Sequence, residues 1–256
     1  CYWFLEKGPA DALSPFPKLN PDPCVHLILA SSQQPYHYHY GDVVFEGRGS
    51  HWIAPHSQTF VIDHSQPFTI VGVKFKTGTP YILKTKMQAT IDQVVGLAGL
   101  DWVKRDATAD FERIIKPPIF AERLSVQLDE LLLPYFLTVR EDKHSHLVRR
   151  ALVLLKSKPV AQIGDDLHCS QRTIERSFLR VTGLTLKQYQ SMIRLDIVND
   201  LYGMAAQDID WASVAAKYDF SDQPHLIRHL KKAIGVTPGE YAKARDLTID
   251  VYGDFE

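Results

Sequence analysis

Two twenty-residue stretches of this 256-residue chain align without a gap. One is SQRTIERSFLRVTGLTLKQY, Ser170 to Tyr189; the other is DQPHLIRHLKKAIGVTPGEY, Asp222 to Tyr241. Identities fall at Gln171/Gln223, Arg176/Arg228, Gly183/Gly235, Thr185/Thr237 and Tyr189/Tyr241. Whatever the chain folds into must build the same local unit twice, with an arginine kept on each copy.

In the first copy Ser170 is suited to cap a helix N-terminus. Ile174, Phe178 and Val181 recur at helical spacing on one face, and Arg172, Arg176 and Leu179 lie opposite, flanked by Glu175 and Arg180. Gly183 suits the left-handed position that ends a helix. Thr185 with Gln188 forms a capping box that opens the next helix. The second copy repeats this grammar. Asp222 caps, Pro224 is tolerated in the first turn, and Leu226 and Leu230 face inward. Arg228, Lys231 and Lys232 face out or flank. Gly235 closes the helix, and Thr237-Pro238-Gly239-Glu240 is again a capping box. A short helix and tight turn precede each copy. They are VAQIGDDLHC, with Val160, Ile163 and Leu167 inward, and DWASVAAKYDFS, with Val214, Ala215 and Tyr218 inward. This is the pattern of a helix-turn-helix, built twice. The helix joining the units, roughly Thr185 to Tyr202, would be about 27 Å long. That length suits two recognition helices entering successive major grooves about 34 Å apart.

Charge supports the same partner. Residues 143–245 hold 16 Lys and Arg against 10 Asp and Glu. Residues 1–142 and the tail from Asp246 are both acidic. A basic segment on an acidic body points to a polyanion. No apolar run approaches the ~18 residues that span a bilayer. The start, CYWFLEKGPADALSPFP, lacks the basic and apolar regions of a signal peptide, and a start at Cys1 reads as a trimmed chain. Cys1, Cys24 and Cys169 have no metal-like spacing and are expected to be reduced thiols in a cytoplasmic protein.

Residues 25–76 read as strands. VHLILA, HYGDVVFEG, TFVID and FTIVGVKFK are separated by Pro, Gly and Ser, as in a small barrel or sandwich. From Pro80 the spacing turns helical, through PYILKTKM and ADFERIIK to a long helix over 119–137. That helix carries Ile119, Leu124, Leu128, Leu131 and Leu132 on one broad face, which either covers the sheet or dimerises. TVREDKH, 138–144, reads as the linker. Trp3, Tyr36, Tyr38, Trp52, Phe60 and Phe75 supply a β core, with a ligand pocket as the second reading. His37-x-His39 with Glu46 sketches a metal site on a strand. It lacks the flanking signals of a metal cupin, so no metal and no cofactor are expected. A metal-dependent cupin-type enzyme with a stabilising helical domain is the alternative reading. No Gly-x-Ser-x-Gly elbow or phosphate-cradling loop is present.

Residues 145–245 resemble the AraC/XylS-type transcriptional regulators. The resemblance is carried by SQRTIERSF, VTGLT, RLDIVNDLY and VAAKYDFSDQPHLIRHLKKAIGVTPGEY. YWFLE, PDPCVHLIL and GVKFKTGTPYIL resemble the β-rich sensor domain of one subgroup. The resemblance implies an α+β chain with three parts: a cupin-like β-barrel or sandwich with covering helices over 1–140, an all-α DNA-binding domain over 141–246, and an acidic tail over 247–256. It implies a sequence-specific regulator rather than an enzyme, controlled by a small molecule or partner. Double-stranded DNA is the expected partner; RNA polymerase and a second copy of the chain are further candidates. The expected DNA-binding set is Gln171, Arg172, Glu175, Arg176, Gln223, His225, Arg228, Lys231 and Lys232. Two residues depart from the family pattern. Asp219 replaces a usual Gly, and Pro224 removes one contact from the second helix.

Overall fold

Strand β3 (Val25–Ala30) is buried along its whole length, which explains why VHLILA has no polar alternation. A strand covered on both faces needs apolar side chains on both. The computed structural model describes residues 1–11, 14–85, 90–97, 107–116, 119, 121–137, 139, 141–196, 210–218, 220–234 and 237.

Around β3 runs an antiparallel sheet in the order β1-β8-β3-β6-β9. Its other strands are β1 (Tyr2–Lys7), β6 (His51–Ile53), β8 (Phe68–Phe75) and β9 (Val94–Gly96). A second sheet, ordered β2-β7-β4-β5, packs against it. It contains β2 (Lys18–Leu19), β4 (Pro35–Tyr40), β5 (Val43–Arg48) and β7 (Phe60–Ile62). Between the sheets lie Ile28, Ala30, Tyr38, Phe60, Ile62 and Ile70. Trp3 also packs here, with its indole directly over Gly72, its partner in the β1–β8 register.

The other face of the first sheet presents Leu27, Leu29, Trp52, Val71 and Val73. Helices α2 (Ala107–Ile114) and α3 (Ala121–Leu137) cover it. Leu124, Leu128 and Leu132 point inward from α3, with Ile119 and Leu131 packed beside them. The broad apolar face of that helix therefore covers the sheet. Trp3, Tyr38, Trp52, Phe60 and Phe75 are buried, as a β core requires.

Several local readings are corrected. Strands extend beyond 25–76, to β1, β2 and β9; β2 and β9, of two and three residues, carry too few side chains to show alternation. HYGDVVFEG is not one strand. It turns at Gly41-Asp42, and Tyr40 pairs with Val43 across a two-residue hairpin. PYILKTKM supplies only one turn, α1 (Thr79–Ile82), and its residues 86–87 lie outside the described residues.

The buried histidines of the β domain are structural. His51 Nδ1 lies 2.9 Å from the Gly49 carbonyl, and its Nε2 is 2.7 Å from the Tyr38 hydroxyl. This is the neutral ring, donating through Nδ1–H and accepting from tyrosine. Burial pulls His51 down from 6.5 to about 4. Burial, with Lys7 nearby, does the same to His64. The unfolded chain takes up both protons first as pH drops below about 6.5. Stability is therefore full above that value and is lost progressively as pH falls toward 4. The melting temperature is expected to be flat from pH 7 to 8 and to decline steadily from pH 6.5 to 4. The His51 ring resonance in NMR should titrate near the lower end.

The helical half begins with α4 (Lys143–Leu154), so the stretch read as a linker is partly helix. Asp142 caps it in a reciprocal box with Ser145. A 3₁₀ turn (Val160–Gln162) leads into α5 (Ile163–Leu167), α6 (Gln171–Thr182) and α7 (Leu186–Ile193). Val148, Ile163, Leu167, Ile174, Phe178 and Leu186 form the core of this unit. α8 (Trp211–Lys217) and α9 (Gln223–Ile234) form a second unit. Leu226 and Leu230 pack there on Ala215 and Phe220. The joining stretch is α-helical to Ile193 and 3₁₀ over Arg194–Asp196. The remainder of that stretch, Asp219, Gly235, the second capping box beyond Thr237 and the 247–256 tail lie outside the described residues.

Candidate nucleic-acid interface

α6 owes its orientation to its ends. Ser170 accepts from the Thr173 amide at 3.3 Å. At the other end Gly183 takes φ 75°, a left-handed turn that L side chains adopt only with strain, and its amide returns to Leu179. The turn before the helix is made by His168 at φ 50°, a conformation for which His is more tolerant than most residues. Between these stops, Ile174, Ser177, Phe178, Val181 and Thr182 are buried. Across the core His144 Nδ1 meets Ser177 Oγ at 3.0 Å, fixing α6 against α4.

The opposite face is exposed. Arg172, Glu175, Arg176, Leu179 and Arg180 are exposed. Gln171 donates from Nε2 to Glu175 Oε1 at 3.0 Å, which orients the carboxylate along the helix. The face carries guanidinium groups for guanine or phosphate and one carboxylate able to accept from cytosine.

The second unit has the same plan. Asp210 caps α8, and Asp222 Oδ1 accepts from the His225 amide at 2.6 Å, capping α9. Gln223, Pro224, Arg228 and Lys231 are exposed. His225 is half-buried, with Nδ1 3.1 Å from Ser221 Oγ and its ring edge-on to Phe220. It is therefore engaged in the turn as well as standing near the outer face. The side chain of Lys232 lies outside the described residues. His229 Nε2 reaches the Ser191 carbonyl at 3.2 Å, so α9 is tied to α7.

One contact set carries no sequence signal of its own. Tyr81, on α1 of the β domain, donates to Asp142 Oδ2 at 2.7 Å. Its oxygen accepts from Arg180 Nε of α6 at 3.1 Å, and the guanidinium stands over the ring. Slight burial pushes the Asp142 carboxyl up. Amides of Ser145 and His144 and the Tyr81 hydroxyl outweigh it, holding the group at about 2. Burial and Asp142 raise Tyr81 above its ordinary value, so the phenol keeps its proton and can donate. Beside this bridge, Gly78 abuts Val181 of α6. A cavity of about 620 Å³ opens along the same seam. Val73, Phe75, Leu132 and Phe136 line it from the β domain, and Val148 and Leu152 from α4. Lys74, paired with Asp22 at 2.8 Å, and Arg149, paired with Glu141 at 3.3 Å, also line it, together with the exposed Lys76. A smaller space of about 70 Å³ lies within the sandwich beside Tyr36, Tyr38, His51 and His64.

His37 and Glu46 face each other across the β4–β5 pair. Among the described residues, however, no group of three or more His, Cys, Asp or Glu comes together.

Comparison with known families places residues 163–244 on the model for a helix-turn-helix domain, the segment containing both capped units. Residues 163–244 are an AraC-type helix-turn-helix domain. Solved structures of ToxT from Vibrio cholerae are also similar. One at 1.65 Å resolution matches with a TM-score of 0.47 and 11% identity, over 95% of this chain and 97% of that chain. A second, of ToxT bound to an unsaturated fatty acid, matches with a TM-score of 0.48 and 11% identity, over 94% and 93%. That domain accounts for the two capped helices and their cationic faces, and it supports DNA binding. No helix among the described residues is long and apolar enough to cross a membrane.

Proposed function

We propose that the chain is a sequence-specific regulator whose residues 141–246 dock on duplex DNA and whose residues 1–140 sense a small molecule. The acidic 247–256 tail lies beyond both. Gln171, Arg172, Glu175 and Arg176 contact DNA from the first recognition helix, and Gln223, His225, Arg228, Lys231 and Lys232 from the second. The exposed cationic face of α6, stopped at both ends and backed by a buried core, is the observation that carries this reading. Pro224 removes a contact from α9, so that helix mainly grips phosphate. The effector sits in the cavity along the seam, whose size suits a small organic molecule. Its apolar walls favour a mostly apolar compound. Contacts from both domains allow such a ligand to prefer one domain arrangement, which is the condition for shifting a population. RNA polymerase and a second copy of the chain are further partners in this proposal.

Genomic fragments selected on the full-length chain supply the test duplex. On it, Arg176→Ala is expected to weaken binding by about 1–3 kcal/mol, and much less on unrelated duplex. Lys231→Ala should weaken all duplexes alike and reduce the slope of log affinity against log salt by about one. Equal isotherms for Arg176→Ala and the parent on the selected duplex would show that α6 does not face the bases.

A further inference from the structure

The outer face of α6 contains one residue that breaks its own pattern. Every other large apolar side chain of that helix, Ile174, Phe178 and Val181, is buried. Leu179 is 49% exposed. Exposed leucines are individually unremarkable on protein surfaces, but the position of this one is not arbitrary. With Arg172, Glu175 and Arg176 it completes an i, i+3, i+4, i+7 set, the spacing with which a recognition helix laid in the major groove reaches consecutive bases. Arg172, Arg176 and Arg180 surround it and would draw DNA to this surface.

The repeat sharpens the point. The residue 52 positions on, aligned with Leu179, is Lys231, also exposed. A lysine there is suited to phosphate, and a leucine is not. The leucine has no donor or acceptor, so nothing on the phosphate backbone or on guanine rewards it. The apolar feature that the major groove offers is the 5-methyl group of thymine.

We infer that Leu179 is a specificity residue that selects thymine by contact with its 5-methyl group, within the DNA-binding function proposed above. The two units then divide the work. α6 reads bases through arginine, glutamate and leucine, and α9 holds the backbone.

The test uses the full-length chain and the duplex selected from genomic fragments. Each thymine is replaced in turn by deoxyuracil, which pairs identically but lacks the methyl group. At one or two positions the parent should lose about fourfold in affinity, the worth of one buried methyl-sized group. Leu179→Ala should bind the unmodified duplex with a similar loss and show no further loss at those positions. The leucine is on the surface, so the fold should survive; the melting curve checks this. A flat deoxyuracil scan with the parent overturns the inference, as does a scan with Leu179→Ala that keeps the parent's sensitivity. Arg176→Ala separates this from the wider reading. If it weakens binding while the deoxyuracil scan is flat, only the role of Leu179 falls. If no duplex is selected, both fall together.

Discussion

Phe178→Ala should remove about 3–5 kcal/mol of stability from the first helix-turn-helix unit and with it nearly all DNA binding. Phe178 is fully buried, sits in the middle of the α6 inner stripe, and packs edge-on against Tyr189 of α7 at 5.4 Å between ring centres. Removing the ring opens a cavity beneath the recognition helix, where α4, α6 and α7 pack together. A unit this small has little stability in reserve. Chemical denaturation should show an earlier transition of the helical half, and duplex binding should fall even at low salt. Arg176→Ala is the contrast. It should leave the denaturation curve in place and change only the isotherm, because that side chain touches nothing buried. A Phe178→Ala protein with parental stability would mean that the core is not organised around this ring.

Gly72→Val should be comparably damaging in the β domain. A Cβ at Gly72 would stand 1.9 Å from Cε2 of Trp3, a separation that no repacking of the indole in place can accept. Trp3 must leave its site between the sheets or β1 must detach from β8. Overpacking usually costs about 1–3 kcal/mol. Here about 3 kcal/mol or more is expected, since an entire tryptophan is displaced. Tryptophan fluorescence should shift to the red as the indole meets water, and the melting temperature should fall. A variant that melts with the parent and keeps a blue emission maximum would exclude the close approach as a structural requirement.

How much of this was readable in the chain depends on the range of the interaction concerned. Ser170, Thr185 and Asp222 accept from amides within a few residues and Gly183 frees the backbone for a left-handed turn, so these residues declare the helix ends directly. The buried stripe of α6 was legible for the same reason. The sandwich was legible only in its longer strands. β2 and β9 are held by their neighbours and have no pattern of their own, and the β4–β5 turn lay hidden inside a run of strand-forming residues. Asp142 with Ser145 three residues on is a local signal that could have moved the start of α4 into the supposed linker. The Tyr81 bridge gave no such signal. It joins residues 61 and 99 positions apart, and only the folded chain says that they meet.

That bridge sets a threshold for control. Arg180 belongs to the helix expected to read DNA, and Tyr81 to the domain expected to sense. Swinging one against the other forfeits the hydrogen bonds to Asp142 and to Arg180, together worth about 1 kcal/mol at so solvent-facing a place. A fivefold preference for the parted state is then the least that a bound molecule must supply before the regulator responds. Compounds that fill the seam without that preference would occupy the protein and leave its output unchanged.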